Sequence, residues 1–205
     1  MTVDVKALFT NIKHKEGAKA TKEALNLRHD KTVPTGFIMR ILEFVLNNNI
    51  FEFDGQLYSQ DIGAAMETKP APPYANIFMA KIDQQILNIA ENYKENGQFP
   101  VKFMKRFLDD IFKVFIGSTQ KLHKFLDEMN SINPDIQFTM THTSIPGEDK
   151  EVRCDCPPRD SIPFLDTSVQ IKNRKIEFDL YRKPTDKKMY LLPNSCHAMP
   201  YKYPL

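Results

Sequence analysis

Val101-Lys102-Phe103-Met104-Lys105-Arg106-Phe107-Leu108-Asp109-Asp110-Ile111-Phe112-Lys113-Val114-Phe115-Ile116 reads as two strands around a paired carboxylate. Both arms, Val101 to Leu108 and Ile111 to Ile116, are rich in β-branched and aromatic residues, as strands are. The connection, Phe107-Leu108-Asp109-Asp110, sets two like charges side by side with no obvious local partner for either. A bound divalent cation removes that repulsion. Hard oxygen ligands suit Mg²⁺, which keeps waters and takes other ligands from substrate phosphates. The same four residues also fit an ordinary β-turn with a solvated Asp pair, since turns favour Asp.

A third carboxylate extends the first idea. Asp4 lies in the short run Met1-Thr2-Val3-Asp4-Val5, which reads as a strand. Neighbouring strands lie roughly 4.8 Å apart. If the Asp4 strand pairs beside the 101–116 hairpin, Asp4 and Asp109 come close enough to share metal ions. Two-metal sites hold their ions about 3.5–4 Å apart and drive in-line phosphoryl displacement.

Composition sets the frame. The chain has 205 residues, 41% of them hydrophobic, which suits one domain, or a domain plus an appendage, with a sizeable core. The net charge of +2 neither argues for nor opposes a nucleic-acid partner. Basic clusters, Lys102, Lys105 and Arg106 or Arg182, Lys183, Lys187 and Lys188, are candidate contact surfaces or plain solvated faces. Three cysteines, Cys154, Cys156 and Cys196, make no disulfide framework, and the C-x-C spacing is not a usual zinc spacing. Free thiols in a reducing compartment follow. The start shows no basic segment followed by an apolar one. No apolar run approaches the roughly 20 residues of a membrane span. The expectation is an intracellular protein of nucleus or cytoplasm, with no membrane association.

The remaining chain alternates helices and hairpins. Residues 15–29 read as a short helix, and Pro34 suits the first turn of a second. That second helix carries Phe37, Ile38, Ile41, Leu42 and Val45 at helical spacing, and Asn47-Asn48-Asn49 ends it. In Ile50-Phe51-Glu52-Phe53-Asp54-Gly55-Gln56-Leu57-Tyr58-Ser59, Asp-Gly between alternating runs predicts a two-residue hairpin turn. A long helix is predicted from Tyr74 to about Tyr93, stopped by Asn96-Gly97. Another covers 119–130, with Leu122, Phe125, Leu126 and Met129 inward. Ile136 to Met140 is a strand, and 143–161 is a surface loop. Ile162 to Ile171 and Ile176 to Tyr181 read as a second hairpin around Lys172-Asn173-Arg174-Lys175. This mixed order predicts an α+β fold, an antiparallel sheet with helices packed on one face. A right-handed polymerase palm has this form.

Several long motifs, in order, resemble the reverse transcriptase of Penelope-like retroelements. Asp4-Val5-Lys6-Ala7-Leu8-Phe9-Thr10-Asn11-Ile12 is similar to its first palm motif. Ala64-Ala65-Met66-Glu67-Thr68-Lys69-Pro70-Ala71-Pro72-Pro73-Tyr74 resembles the second. Arg106-Phe107-Leu108-Asp109-Asp110-Ile111-Phe112 resembles the catalytic hairpin. Asn133-Pro134-Asp135-Ile136-Gln137-Phe138-Thr139, Pro163-Phe164-Leu165-Asp166, Tyr181-Arg182-Lys183-Pro184-Thr185-Asp186 and Ser195-Cys196-His197 continue the likeness.

By that resemblance the chain is an RNA-directed DNA polymerase fragment that takes an RNA template, a DNA primer and dNTP. Asp4, Asp109 and Asp110 are its catalytic carboxylates. Asp4, the Val5 carbonyl, Asp109 and Asp110 face two Mg²⁺ ions, with Mn²⁺ as a substitute. Val5, Phe9, Met66 and Glu67 line the nucleotide, the Phe9 ring excluding a ribose 2′-hydroxyl. Residues 1–182 form the palm, including a primer-grip hairpin at 162–181, and 183–205 begin the thumb. Two departures stand out. Glu67 occupies a position where the family carries Gly, which lets backbone approach the nucleotide. Fingers, which precede the first palm motif in the family, and an endonuclease domain are missing. The expectation is a fragment or decayed copy of a mobile element. The alternative is a non-catalytic remnant that binds nucleic acid weakly at most.

Overall fold

The computed structural model describes residues 1–94, 101–143, 161–172 and 175–186. In chain order these form β1 (Thr2–Lys6), α1 (Leu8–Asn11), α2 (His14–Leu27), α3 (Thr35–Asn47), β2 (Ile50–Phe53), β3 (Gln56–Ser59) and α4 (Ala71–Asn92). Then come β4 (Val101–Phe107), β5 (Asp110–Phe115), α5 (Thr119–Asn130), β6 (Gln137–Thr141), β7 (Ser161–Phe164), β8 (Thr167–Lys172) and β9 (Lys175–Leu180).

The central sheet has the order β4-β5-β1-β6, with every described pairing antiparallel. Alternation along a strand sends successive side chains to opposite faces. Val3, Val5, Ile111, Phe138 and Met140 therefore share one face, and all are buried. Helices cover that face: Tyr74, Phe78, Met79, Ile82 and Ile86 of α4 and Leu122, Phe125 and Met129 of α5 join the same core. Full burial of each large apolar side chain stabilises by roughly 1.5–3 kcal/mol. Asp4, Thr2, Asp110 and Phe112 point to the other face. The expected α+β architecture, with helices on one face of an antiparallel sheet, is what forms.

Local signals explain most boundaries. Ser118 caps α5, its hydroxyl accepting from the Lys121 N–H. Asp54 and Gly55 both take positive φ, 51° and 72°, so the β2–β3 turn is the expected primed type. Helix α4 begins at Ala71 rather than Tyr74, because Pro72 and Pro73 fit a first turn that needs no N–H donors. In α3 the buried residues are Met39, Leu42 and Leu46, while Phe37 and Ile41 are exposed.

The 162–181 region differs from its predicted form. It is a three-stranded meander, β7-β8-β9, and the break lies at Leu165-Asp166. Leu165 takes φ 53°, a conformation its sequence does not advertise. The meander meets the open face of the central sheet, where the Phe112 and Phe164 rings lie 5.4 Å apart. The Asn96-Gly97 stop, most of the 143–161 loop, all three cysteines, His197 and the tail from 187 onward lie outside the described residues. No helix among the described residues is long and apolar enough to cross a membrane.

Candidate active site

The register of two strands decides where the carboxylates go. Lys113 N–H donates to the Met1 carbonyl at 3.0 Å, and Val5 N–H donates to the Asp109 carbonyl at 3.1 Å. These fix the hydrogen-bonded pairs of the β1–β5 ladder. Between them, Asp4 sits directly opposite Asp110 in a non-hydrogen-bonded pair. Such pairs bring Cα atoms to about 4.5 Å, with side chains closer than elsewhere in a sheet. Two like charges directly opposed on one face destabilise it. Asp109 occupies the next position, in the two-residue turn between β4 and β5.

The electrostatics follow. Partial burial, then the charge of Asp109, raises the Asp4 carboxyl above its usual value, while Lys6 opposes the shift. Partial burial, then Asp109, then Asp4, raises Asp110, while Lys183 opposes. The four predicted residues Asp4, Val5, Asp109 and Asp110 are thus brought together. A residue in a hydrogen-bonded pair presents its N–H and C=O to the same neighbour. The Val5 carbonyl is therefore turned toward the Asp109 side, while its side chain is buried.

Two of the four non-glycine residues with positive φ among the described residues flank this point. Ala7, immediately after β1, takes φ 49° and ψ 42°, so the chain turns sharply into α1. Leu108 takes φ 54° in the acidic turn. Non-glycine residues in this region cost on the order of 1–3 kcal/mol each, and such outliers cluster at functional sites.

Phe9, Met66 and Glu67 form a second group. Phe9 lies in α1, partly buried against the core. Its carbonyl accepts from the Ala64 N–H at 2.8 Å, and His14 Nε2 reaches the Gly63 carbonyl at 2.6 Å. Gly63 takes φ +80°, and a Cβ there would lie 2.5 Å from the Phe9 carbonyl oxygen. Only glycine lets the loop press so closely onto α1. Met66 and Glu67 stand exposed at the tip of a turn closed by Thr68 N–H to the Ala65 carbonyl, 3.1 Å. The loop that bears them is stapled to the helix that follows the Asp4 strand.

The donor set is three carboxylates and a main-chain carbonyl. Among the described residues, no group of three or more His, Cys, Asp or Glu side chains forms a ready cage for a metal ion. Mg²⁺ does not require one: it binds through one or two carboxylates, keeps waters and completes its shell with substrate phosphates. Hard oxygen donors such as Asp4 and Asp110, whose proton affinity is raised by partial burial and then by neighbouring negative charge, fit such an ion.

Two features were not legible in the sequence. Gly63 was unmarked, its signal being a lone Gly in a loop. Arg106 shows in the sequence as part of a basic cluster and as the first residue of the hairpin motif, with no partner indicated. Its guanidinium instead grips the Asp83 carboxylate, with Nε at 2.9 Å from Oδ2 and Nη2 at 2.8 Å from the same oxygen. Nη1 donates to Asn76 Oδ1 at 2.7 Å and to the Leu108 carbonyl at 3.0 Å.

Among solved structures the chain is similar to apo telomerase from Candida tropicalis, truncated from its C-terminal domain. The TM-score is 0.56 at 10% sequence identity, over 87% of this chain and 35% of that one. The chain thus spans about a third of the length of the telomerase it matches, and at this identity the likeness is one of fold. No protein-family profile and no curated protein sequence matches the chain.

Proposed function

We propose that the chain is the catalytic palm of an RNA-directed DNA polymerase of the Penelope-like retroelement kind, acting on an RNA template, a DNA primer and dNTP. The observation that carries this reading is the direct opposition of Asp4 and Asp110, with Asp109 beside them, on the face of the sheet that the helices leave open. A destabilising cluster of like charge is explained by a cation that joins it in use. Bound Mg²⁺ or Mn²⁺ supplies the means to lower the pKa of a primer 3′-hydroxyl and to offset charge on departing pyrophosphate. In this reading Asp4 and Asp109 ligate directly and Asp110 completes the negative field. The Val5 carbonyl adds a neutral oxygen. Phe9 stands where it limits the space beside the sugar, and the β7–β9 sheet supports the primer end.

A second reading, a non-catalytic remnant, is favoured by Glu67. Its carboxylate is exposed on the loop docked against Phe9, and a negative charge there repels a triphosphate. Primer extension on an RNA template separates the two. The chain is fused behind the fingers segment of an active Penelope-like enzyme and supplied with Mg²⁺ or Mn²⁺. Extension that Asp109→Asn abolishes supports the polymerase. Absence of extension in every fusion, Glu67→Gly included, supports the remnant.

A further inference from the structure

Arg106 spends its guanidinium on two elements at once. It binds Asp83 and Asn76, two turns apart on α4, and the Leu108 carbonyl in the acidic turn. Its side chain is only 10% exposed. The Leu108 carbonyl belongs to the central peptide of the two-residue turn, the peptide that joins Leu108 to Asp109. In that turn φ is positive at Leu108 and not at Asp109. This is the pattern of a II′ turn. Rotating the central peptide by half a turn gives type I′, in which the second residue also takes positive φ. Asp tolerates that conformation better than most residues. The alternative turn is therefore accessible to Asp109. Adopting it would leave the Asp109 Cβ nearly in place but turn the Leu108 carbonyl away from Arg106, untying the turn from α4.

We propose that Arg106 is a positioning residue that ties the Leu108–Asp109 turn to α4, holding its central peptide in one orientation and so fixing where the Asp109 carboxylate stands beside the Asp4–Asp110 pair. The inference rests on the metal-site reading given above. Three features support it. The carbonyl gripped belongs to the peptide that carries the Asp109 N–H. The grip is anchored to a helix packed in the core, not to another part of the hairpin. A planar fork with five donors suits several acceptors at fixed angles, which a Lys ammonium does not. The chain also contains a comparison turn. Phe164-Leu165-Asp166-Thr167 repeats the Phe-Leu-Asp sequence and the positive φ, 53° at Leu165. There the Asp166 carbonyl is held by the Tyr181 N–H at 2.8 Å. The tripeptide makes the turn by itself; Arg106 adds rigidity to the copy that carries the carboxylates.

The test compares wild type with Arg106→Lys, and with Asn76→Ala, which keeps the Asp83 ion pair. One readout is the residual dipolar coupling of the Asp109 amide, with the Asp166 amide as internal reference. The other is Mn²⁺ affinity measured by electron paramagnetic resonance. Arg106→Lys is expected to change the Asp109 coupling, leave that of Asp166 unchanged, and weaken Mn²⁺ binding at least about tenfold, as loss of an outer-shell partner does. Asn76→Ala is expected to do the same to a lesser degree, and decides the question if Arg106→Lys does not fold. Unchanged Asp109 couplings in the folded variants overturn the proposal, as does wild-type Mn²⁺ affinity in them. If wild type itself binds no Mn²⁺, the metal-site reading fails, and the amide couplings still decide whether Arg106 holds the turn.

Discussion

Lys113 carries an amine into the apolar core of a protein with abundant surface for it. It occupies a helix-side position of β5, 0% exposed, with Nζ 3.1 Å from the Met129 sulfur and 5.1 Å from the centre of the Phe125 ring. Burial lowers its pKa from 10.5 to about 7, against a smaller opposing pull from Asp83. Between those two values the unfolded chain binds a proton that the fold does not, so stability falls as pH drops from about 10 to about 7, then levels. Lys113→Met is expected to stabilise at pH 7 by roughly 2–4 kcal/mol, since a well-packed apolar residue replaces a buried amine. Urea midpoints should show the gain shrinking as pH approaches 10; an equal gain at both ends would remove the explanation. The acidic pair behaves oppositely. Raised carboxyl pKa values mean a penalty that is full above them and gone below the usual 3.8. Without metal at pH 7, Asp110→Asn should therefore raise stability by roughly 0.2–1 kcal/mol. Added Mg²⁺ should raise the melting temperature of wild type more than that of Asp109→Asn. An identical shift in both would sink the cation argument.

At the scale of elements, the two Phe-Leu-Asp turns show what sequence reveals and what it hides. The first was legible because two adjacent Asp between strand-like runs demanded an explanation. The second is hidden, since Leu165-Asp166 offers no Gly or Asn to mark a reversal and Ile162 to Ile171 keeps a strand-like composition. Helices were legible from spacing and caps, because those signals are local. The Asp4–Asp110 opposition was half legible: a neighbouring strand was foreseen, but only the hydrogen-bond register names the partner. Arg106 was illegible because its acceptors Asp83 and Asn76 lie 23 and 30 residues earlier, on an element whose docking no local pattern states. Gly63 belongs with it, since its contact with Phe9 exists only after the loop has docked. Gly63→Ala is expected to cost roughly 1–3 kcal/mol through a forced backbone shift. It should also move the Met66 methyl resonance while leaving that of buried Met129 in place. A neutral substitution with both resonances unmoved would show that the loop is not pinned to α1.

For the whole molecule, assembled carboxylates and held substrates are separate requirements. The carboxylates stand together on a rigid sheet backed by a continuous core. Yet phosphoryl transfer draws most of its rate from positioning and fixed electrostatics, so carboxylates without held substrates achieve little. The chain spans 35% of the telomerase to whose fold it is similar. Glu67 adds an exposed negative charge on the loop docked to Phe9. The 205-residue chain alone is therefore expected to give no measurable primer extension on an RNA template. Fused behind the fingers of an active reverse transcriptase, the Glu67→Gly form should extend faster than the Glu67 form. The gap should narrow as salt rises, because an exposed charge is screened within about 10 Å at 0.1 M ionic strength. Gel-resolved extension at two salt concentrations reads both effects. Robust synthesis by the unfused chain would show that these residues position template and triphosphate by themselves. Equal rates for the two fusions would show that the Glu67 carboxylate lies too far from the triphosphate to act on it.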